Sequence, residues 1–133
     1  MTKKLLLGLH DPGMLKTYEM YLEDDGFSVS GVSSLEGMLE KMGIPEDAEP
    51  NMPPANPFDA YIMDANLGDF AGSSCEPALR IYRHVKQSVE EKGVKFMSVT
   101  GSDEAFSAAK KHGIPVMLKR LDLAENLTKF LYE

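Results

Sequence analysis

The chain has 133 residues, of which 43% are hydrophobic and 26% charged, and its formal net charge is -7 at pH 7. This length predicts one domain over residues 1–133, and the acidic balance argues against a nucleic-acid surface, which needs clustered lysine and arginine. No apolar run is long enough for a membrane span or a signal peptide, and the one cysteine excludes an internal disulfide. We therefore expect a cytoplasmic protein that binds another protein or concentrates a cation.

Short apolar runs alternate with helical stripes along the chain. Strands are predicted at residues 4–9, 27–32, 58–64, 94–100 and 114–118, and helices at 15–25, 33–42, 74–91, 103–112 and 122–131. Capping boxes are predicted at Ser33 with Glu36 and at Asp122 with Glu125, and Ser102 is predicted to cap the fourth helix. The order of elements is therefore βαβαβαβαβα.

This alternation predicts an α/β fold, because right-handed crossovers place helices on both faces of a parallel sheet. We expect a five-stranded, doubly wound (βα)5 sheet, which is a flavodoxin-like three-layer sandwich. The segment 43–57 interrupts the pattern, since it contains five of the eight prolines. It is predicted to be a surface loop inserted between the second helix and the third strand.

Three polar residues end three different predicted strands: Asp64, Thr100 and Lys119. Ligands of open α/β sheets bind in the crevice outside the carboxyl ends of the strands, so these side chains are expected to converge. A carboxylate can accept a phosphoryl group as a nucleophile, an ammonium can hold phosphoryl oxygens, and a hydroxyl can donate a hydrogen bond to one of them. Together the three residues predict a site for phosphoryl chemistry.

Because of these three residues, the chain resembles the receiver domains of two-component response regulators. Its size is nearest to the single-domain chemotaxis type. The resemblance covers nearly the whole chain apart from the proline-rich loop. The segments that carry it are Lys3-Lys4-Leu5-Leu6-Leu7, Leu22-Glu23-Asp24-Asp25-Gly26-Phe27, Phe58-Asp59-Ala60-Tyr61-Ile62-Met63-Asp64, Val99-Thr100-Gly101 and Val116-Met117-Leu118-Lys119.

The resemblance implies roles for particular residues and partners. Asp64 would be the phosphoacceptor, Thr100 the hydroxyl that follows the phosphoryl group, and Lys119 the lysine of the fifth strand. Mg2+ would be the cofactor, with Asp11, Asp64 and the carbonyl of Asn66 as its ligands. A sensor histidine kinase or a phosphotransfer protein would supply the phosphoryl group, a downstream protein would be the target, and a homodimer is an open option. The protein itself is not expected to be an enzyme.

The end of the first strand departs from the family pattern. Receiver domains usually have two adjacent acids there, whereas this chain has Leu9-His10-Asp11-Pro12. Aligning on Pro12 places Leu9 and His10 at the acid positions, and a shift of one residue makes His10 and Asp11 the pair. Either alignment lacks a carboxylate, which should weaken binding of Mg2+, an ion that requires oxygen ligands. His10 is either a site residue that alters metal choice or replaces its charge, or a histidine tolerated at a strand end.

Three further positions differ from the family pattern. Arg120 follows the lysine where a proline is usual, Val116 lies where a switch aromatic is common, and Gly68 replaces a proline often found after the phosphoacceptor. Transmission to the face of the fourth helix, fifth strand and fifth helix should therefore differ from the usual route, and the loop after the third strand should be looser.

Other reactive or titratable residues are predicted to be structural. Cys75, near a helix start, is interpreted as a small residue rather than a thiol of lowered pKa. His84 is interpreted as a solvated helix residue and His112 as a charge at a helix end.

Three functional hypotheses follow. We favour a phosphorylation-controlled switch whose output is another protein, since no further domain is expected after the fifth helix. The alternative is a degenerate receiver that acts as a phosphorylation-independent docking module. A flavodoxin-like cofactor binder is the weakest, because no phosphate-binding loop follows the first strand.

Overall fold

The computed structural model describes residues 2–68 and 74–133. Within these ranges no helix is long and apolar enough to cross a membrane. The predicted loop between the third strand and third helix extends to residue 72, and its part from residue 69 onward lies outside the described residues.

Five parallel strands form one sheet in the described part of the chain. They are β1 (Lys4–Gly8), β2 (Ser28–Val32), β3 (Ala60–Asp64), β4 (Lys95–Thr100) and β5 (Val116–Leu118). Their order across the sheet is β2-β1-β3-β4-β5, and all four neighbouring pairs are parallel. The predicted flavodoxin-like α/β fold is confirmed.

Helices cover both faces of this sheet. They are α1 (Pro12–Asp24), α2 (Leu35–Met42), α3 (Glu76–Lys92), α4 (Asp103–Lys111) and α5 (Leu123–Leu131). The alternation of side chains along β1 separates two cores: Leu5 and Leu7 pack with residues of α1 and α5, whereas Leu6 packs with residues of α2, α3 and α4. Apolar residues on both faces explain why the strands appear in the sequence as continuous apolar runs.

The starts of α1, α2 and α5 differ from the sequence prediction in position or in capping. α1 begins three residues earlier than predicted because Asp11 is its N-cap. The N-cap of α2 is Ser34 and not Ser33, so the predicted capping box is wrong by one residue. Asp122 precedes α5 but makes no side-chain capping bond, which contradicts the second predicted box. The cap by Ser102 on α4 is confirmed.

The proline-rich segment 43–57 is tied to the body of the protein at both of its ends. Gly43 ends α2 with a φ of 71°, a left-handed conformation that favours glycine. Ile44 is buried in the core beside α2, and the N–H of Asn56 donates to the carbonyl of Met42 at 2.9 Å. The loop therefore returns to the helix end from which it departs.

His84 of α3 holds the middle of this loop. Its Nδ1 lies 2.8 Å from the carbonyl oxygen of Met52, and because a carbonyl only accepts, Nδ1 must carry the proton. The side chain is 5% exposed, so the prediction of a solvated His84 is wrong. The sequence signal for the burial of His84 was its helical spacing from Ile81 and Val85, both on the buried stripe of α3.

Candidate functional site

Asp64 ends β3 at the carboxyl edge of the sheet, where β3 is flanked by β1 and β4. Its neighbour Ala65 donates its N–H to the carbonyl of Val99 at 2.8 Å, which continues the sheet pairing past the strand end. Asp64 is only 3% exposed. A buried carboxylate is unfavourable unless it is paired and hydrogen-bonded, so its partners define the site.

Lys119 supplies the opposite charge. Its Nζ lies 2.5 Å from Asp64 Oδ1, and the lysine follows directly after β5. Oδ1 is fully buried and meets no hydrogen-bond donor in good geometry within the described residues, so the ammonium acts on it chiefly as a compensating charge. Lys119 itself is partly exposed, which leaves the ammonium accessible from the cavity described below.

The second carboxylate oxygen of Asp64 is bound by the β1–α1 turn. The backbone N–H of His10 donates to Oδ2 at 2.7 Å, a short, charge-assisted bond. The histidine side chain is exposed, so its contribution to Asp64 in this structure is through the peptide group. Sequence reasoning singled out the imidazole of His10 and missed the N–H, because a backbone donor leaves no signature in residue type.

The residues on either side of His10 have structural partners of their own. The Leu9 side chain is 1% exposed and packs in the core with α1 and α5. The carboxylate of Asp11 accepts the N–H groups of Gly13, at 2.8 Å, and Met14, at 3.2 Å. In the sequence, the Asp-Pro pair at the start of α1 is a pattern typical of a helix N-cap. Position 9 therefore offers no carboxylate, and the carboxylate at position 11 has its Oδ1 committed to the helix cap.

Thr100 lies at the end of β4 and is 2% exposed. Its Oγ1 accepts the N–H of Ser102 at 3.1 Å, and its carbonyl accepts the N–H of Lys119 at 2.8 Å. The hydroxyl is thus held beside the strand that carries the lysine. It keeps one proton that it can donate to a ligand.

An open cavity of about 280 Å³ lies over this edge of the sheet. The described residues that line it are His10, Asp11, Met14, Asp64, Asn66, Gly68 and Lys119. The structure thus brings the candidates of β1, β3 and β5 together, whereas Thr100 is not among the lining side chains. Gly68 has a φ of 78°, a conformation that a proline cannot adopt.

Mg2+ is the ion that the resemblance implies here, and the donor set fits it poorly. Mg2+ needs near-octahedral oxygen ligands and is usually bound through one or two carboxylates. Asp64 faces an ammonium and a peptide N–H, and the Asp11 carboxylate caps a helix. Over residues 2–68 and 74–133, no group of three histidine, cysteine, aspartate or glutamate residues is placed to hold a metal.

Cys75 at the start of α3 is the remaining reactive side chain in this region. It is buried, and this desolvation, together with the neighbouring carboxylate of Glu76, raises the pKa of its thiol. It makes no side-chain capping bond. This agrees with the interpretation of Cys75 as a small structural residue.

Solved structures with this architecture include response regulator receiver domains. A CheY-like receiver domain protein from Methanospirillum hungatei JF-1 is 22% identical, over 99% of this chain and 95% of its own, with a TM-score of 0.66. A putative response regulator from Chloroflexus aurantiacus J-10-fl is 19% identical over the whole of both chains, with a TM-score of 0.67. The BeF3-activated DrrB receiver domain is also 19% identical over both whole chains, with a TM-score of 0.62.

Comparison by sequence gives no match, either to a protein-family model or to a curated protein. The likeness to solved structures therefore establishes the fold: this chain has the receiver-domain fold over nearly its whole length.

Proposed function

We propose that this chain is a receiver-type signalling domain that accepts a phosphoryl group on Asp64 and thereby changes its contacts with another protein. The observation that carries the proposal is the 2.5 Å ion pair between Asp64 Oδ1 and Lys119 Nζ at the carboxyl edge of the sheet. A nucleophilic carboxylate beside a fixed ammonium, open to a cavity, has the chemistry that a phosphoryl acceptor needs.

The transfer involves one bond made and one bond broken. A carboxylate oxygen of Asp64 attacks phosphorus, and the bond from phosphorus to the donor's leaving group breaks, with its electron pair departing on that group. No proton has to be removed from the nucleophile, because the acceptor is already a carboxylate. The ammonium of Lys119 offsets the charge on the phosphoryl oxygens. The Thr100 hydroxyl, which does not line the cavity in this structure, would have to turn toward it to donate to one of them.

The partners follow from this chemistry. The donor is a sensor histidine kinase or a phosphotransfer protein, and the output is a change in binding to a downstream protein or to a second copy of this chain. Phosphorylation adds negative charge at a site where Asp64 now holds the β1–α1 turn and the end of β5, so a redistribution of these bonds is the expected switch. The domain is an acceptor rather than an enzyme, and the cytoplasm is its expected compartment.

A phosphorylation-independent docking module is the second candidate. It is favoured by the bond from the His10 N–H to Asp64 Oδ2 and by the burial of Leu9, which one of the two alignments places at an acid position. In this case the carboxylate is a structural anchor for the β1–α1 turn, and the protein binds its target in one state only.

The two candidates are separated by labelling with a small phosphodonor, such as acetyl phosphate or phosphoramidate, followed by intact mass measurement. The wild type is expected to gain one phosphoryl group and Asp64→Asn none. Asp59→Asn is the matched control, because Asp59 lies just before β3 at its opposite end and accepts the N–H of Lys4 at 2.8 Å. Labelling that persists in Asp64→Asn would overturn the acceptor assignment, and a wild type that no donor labels would favour the docking module.

A further inference from the structure

The β1–α1 turn presents its N–H to Asp64 from an anchored position. On one side of His10, the Leu9 N–H donates to the carbonyl of Val32 at 3.1 Å, and the Leu9 side chain lies in the core. On the other side, Asp11 caps α1 through both its carboxylate and its carbonyl, which accepts the N–H of Leu15 at 2.9 Å. The donor is therefore fixed before any ligand arrives.

The described residues that line the cavity are nearly balanced in formal charge. They include two carboxylates, Asp64 and Asp11, and the ammonium of Lys119. With neutral His10 the sum over these described residues is -1, and the carboxylate that contributes the excess, Asp11, accepts two N–H groups of α1 through its Oδ1. Neither carboxylate has both oxygens free for a divalent ion, because both oxygens of Asp64 face positive partners and Oδ1 of Asp11 caps α1.

We infer that the Asp64 cavity takes no divalent cation, and that the His10 peptide N–H and the Lys119 ammonium together supply the positive field that a cation would otherwise supply. The peptide N–H and the ammonium nitrogen face the two different oxygens of one carboxylate, at 2.7 Å and 2.5 Å. The inference about the cation does not depend on the proposed function. Only its consequence does, which is that phosphoryl transfer to Asp64 proceeds in the presence of a chelator.

The first experiment needs no phosphodonor. Mn2+, which shares the preference of Mg2+ for oxygen ligands, is titrated into wild-type protein, and the free ion is counted by electron paramagnetic resonance. The same titration is run on Asp64→Asn and on His10→Asp, which adds a carboxylate to the cavity lining at an exposed position. Circular dichroism confirms that each variant is folded.

The wild type is expected to leave Mn2+ free at millimolar concentration, and His10→Asp to bind it at least about tenfold more tightly, since carboxylate count tunes affinity. Wild-type binding that disappears in Asp64→Asn would overturn the inference. Mn2+ binding that is the same in the wild type and in Asp64→Asn lies elsewhere on the protein and supports the inference. If no variant binds Mn2+, His10→Asp included, the cavity takes no cation, but the number of carboxylates is not the reason.

A second arm repeats the phosphodonor labelling with a chelator and without it. Equal labelling supports the inference, and labelling that the chelator abolishes overturns it. If the wild type is not labelled under either condition, the proposed function fails, and the Mn2+ titration still decides whether the cavity takes a cation.

Discussion

The backbone N–H of Lys119 donates to the carbonyl of Thr100 at 2.8 Å, so the two strand ends that carry the ammonium and the hydroxyl are bonded directly to each other. Lys119 in turn reaches across β4 to Asp64, which ends the next strand. The ion pair therefore joins three consecutive strands at their carboxyl ends. Its loss should lower the stability of the fold as well as change the chemistry of the site.

Replacement of Lys119 by methionine should destabilise the fold, because it leaves the buried Asp64 carboxylate without its counter-charge. We expect a loss of about 1–3 kcal/mol, below the range for fully buried pairs because Lys119 is partly exposed. The double variant with Asp64→Asn should lose less than the sum of the two single variants. Urea unfolding measures all three.

Arg120→Met is the control for that cycle, since Arg120 is the next residue and carries the same charge, but its side chain is exposed. It should change stability by less than about 0.5 kcal/mol. Additive losses in the Lys119 and Asp64 variants would show that the pair contributes nothing to folding.

The helix cap made by Asp11 predicts a graded series of losses in stability. Asp11→Ala removes the acceptor for the Gly13 and Met14 N–H groups and should lower the free energy of unfolding by about 1 kcal/mol. Asp11→Asn keeps a capping oxygen and should lose only a fraction of this. Equal losses in the two variants, measured by denaturant unfolding, would assign the effect to charge rather than to the cap.

His84 offers a pair of near-isosteric variants. Asparagine places an N–H near the position of Nδ1, whereas glutamine places it near Nε2. His84→Asn should therefore keep the bond to the Met52 carbonyl, and His84→Gln should lose about 1–2 kcal/mol through the unsatisfied buried group. Limited proteolysis within segment 43–57 should increase in the glutamine variant alone, and equal cleavage of both variants would contradict a role for this bond.

The buried thiol of Cys75 predicts slow alkylation and an alkaline loss of stability. Burial raises its pKa above the ordinary value of 9.0, so the folded state keeps the proton longer than the unfolded chain does. The stabilisation is complete below that value and is lost as pH rises through the folded pKa. Iodoacetamide should react at least about tenfold more slowly with the native protein than with the unfolded chain.

Cys75→Ala tests the same point from the stability side. It should flatten the fall in the free energy of unfolding above pH 9.0. Part of the slope should remain, because burial also raises the pKa of Tyr61 above 10.0. A fall as steep as in the wild type would mean that the thiol does not contribute.

The sequence predicted the fold well because hydrophobic periodicity follows from burial. The run Leu5-Leu6-Leu7 is apolar since both sheet faces are covered. Strand-end residues such as Asp64 and Lys119 were found for a related reason, because a polar residue that closes an apolar run marks a sheet edge. The bond from the His10 N–H to Asp64 could not be predicted from the sequence, since it depends on the path of the backbone and on no side chain.

The buried side chain of Leu9 restricts which substitutions could place an acidic pair at this edge of the sheet. A carboxylate at position 9 would enter the core between β1, α1 and α5, where an unpaired charge is strongly disfavoured. The exposed neighbour His10 carries no such penalty. If a lineage related to this chain gained a cation site, the path of single tolerated changes would begin at position 10, because the burial of Leu9 disfavours a carboxylate at position 9.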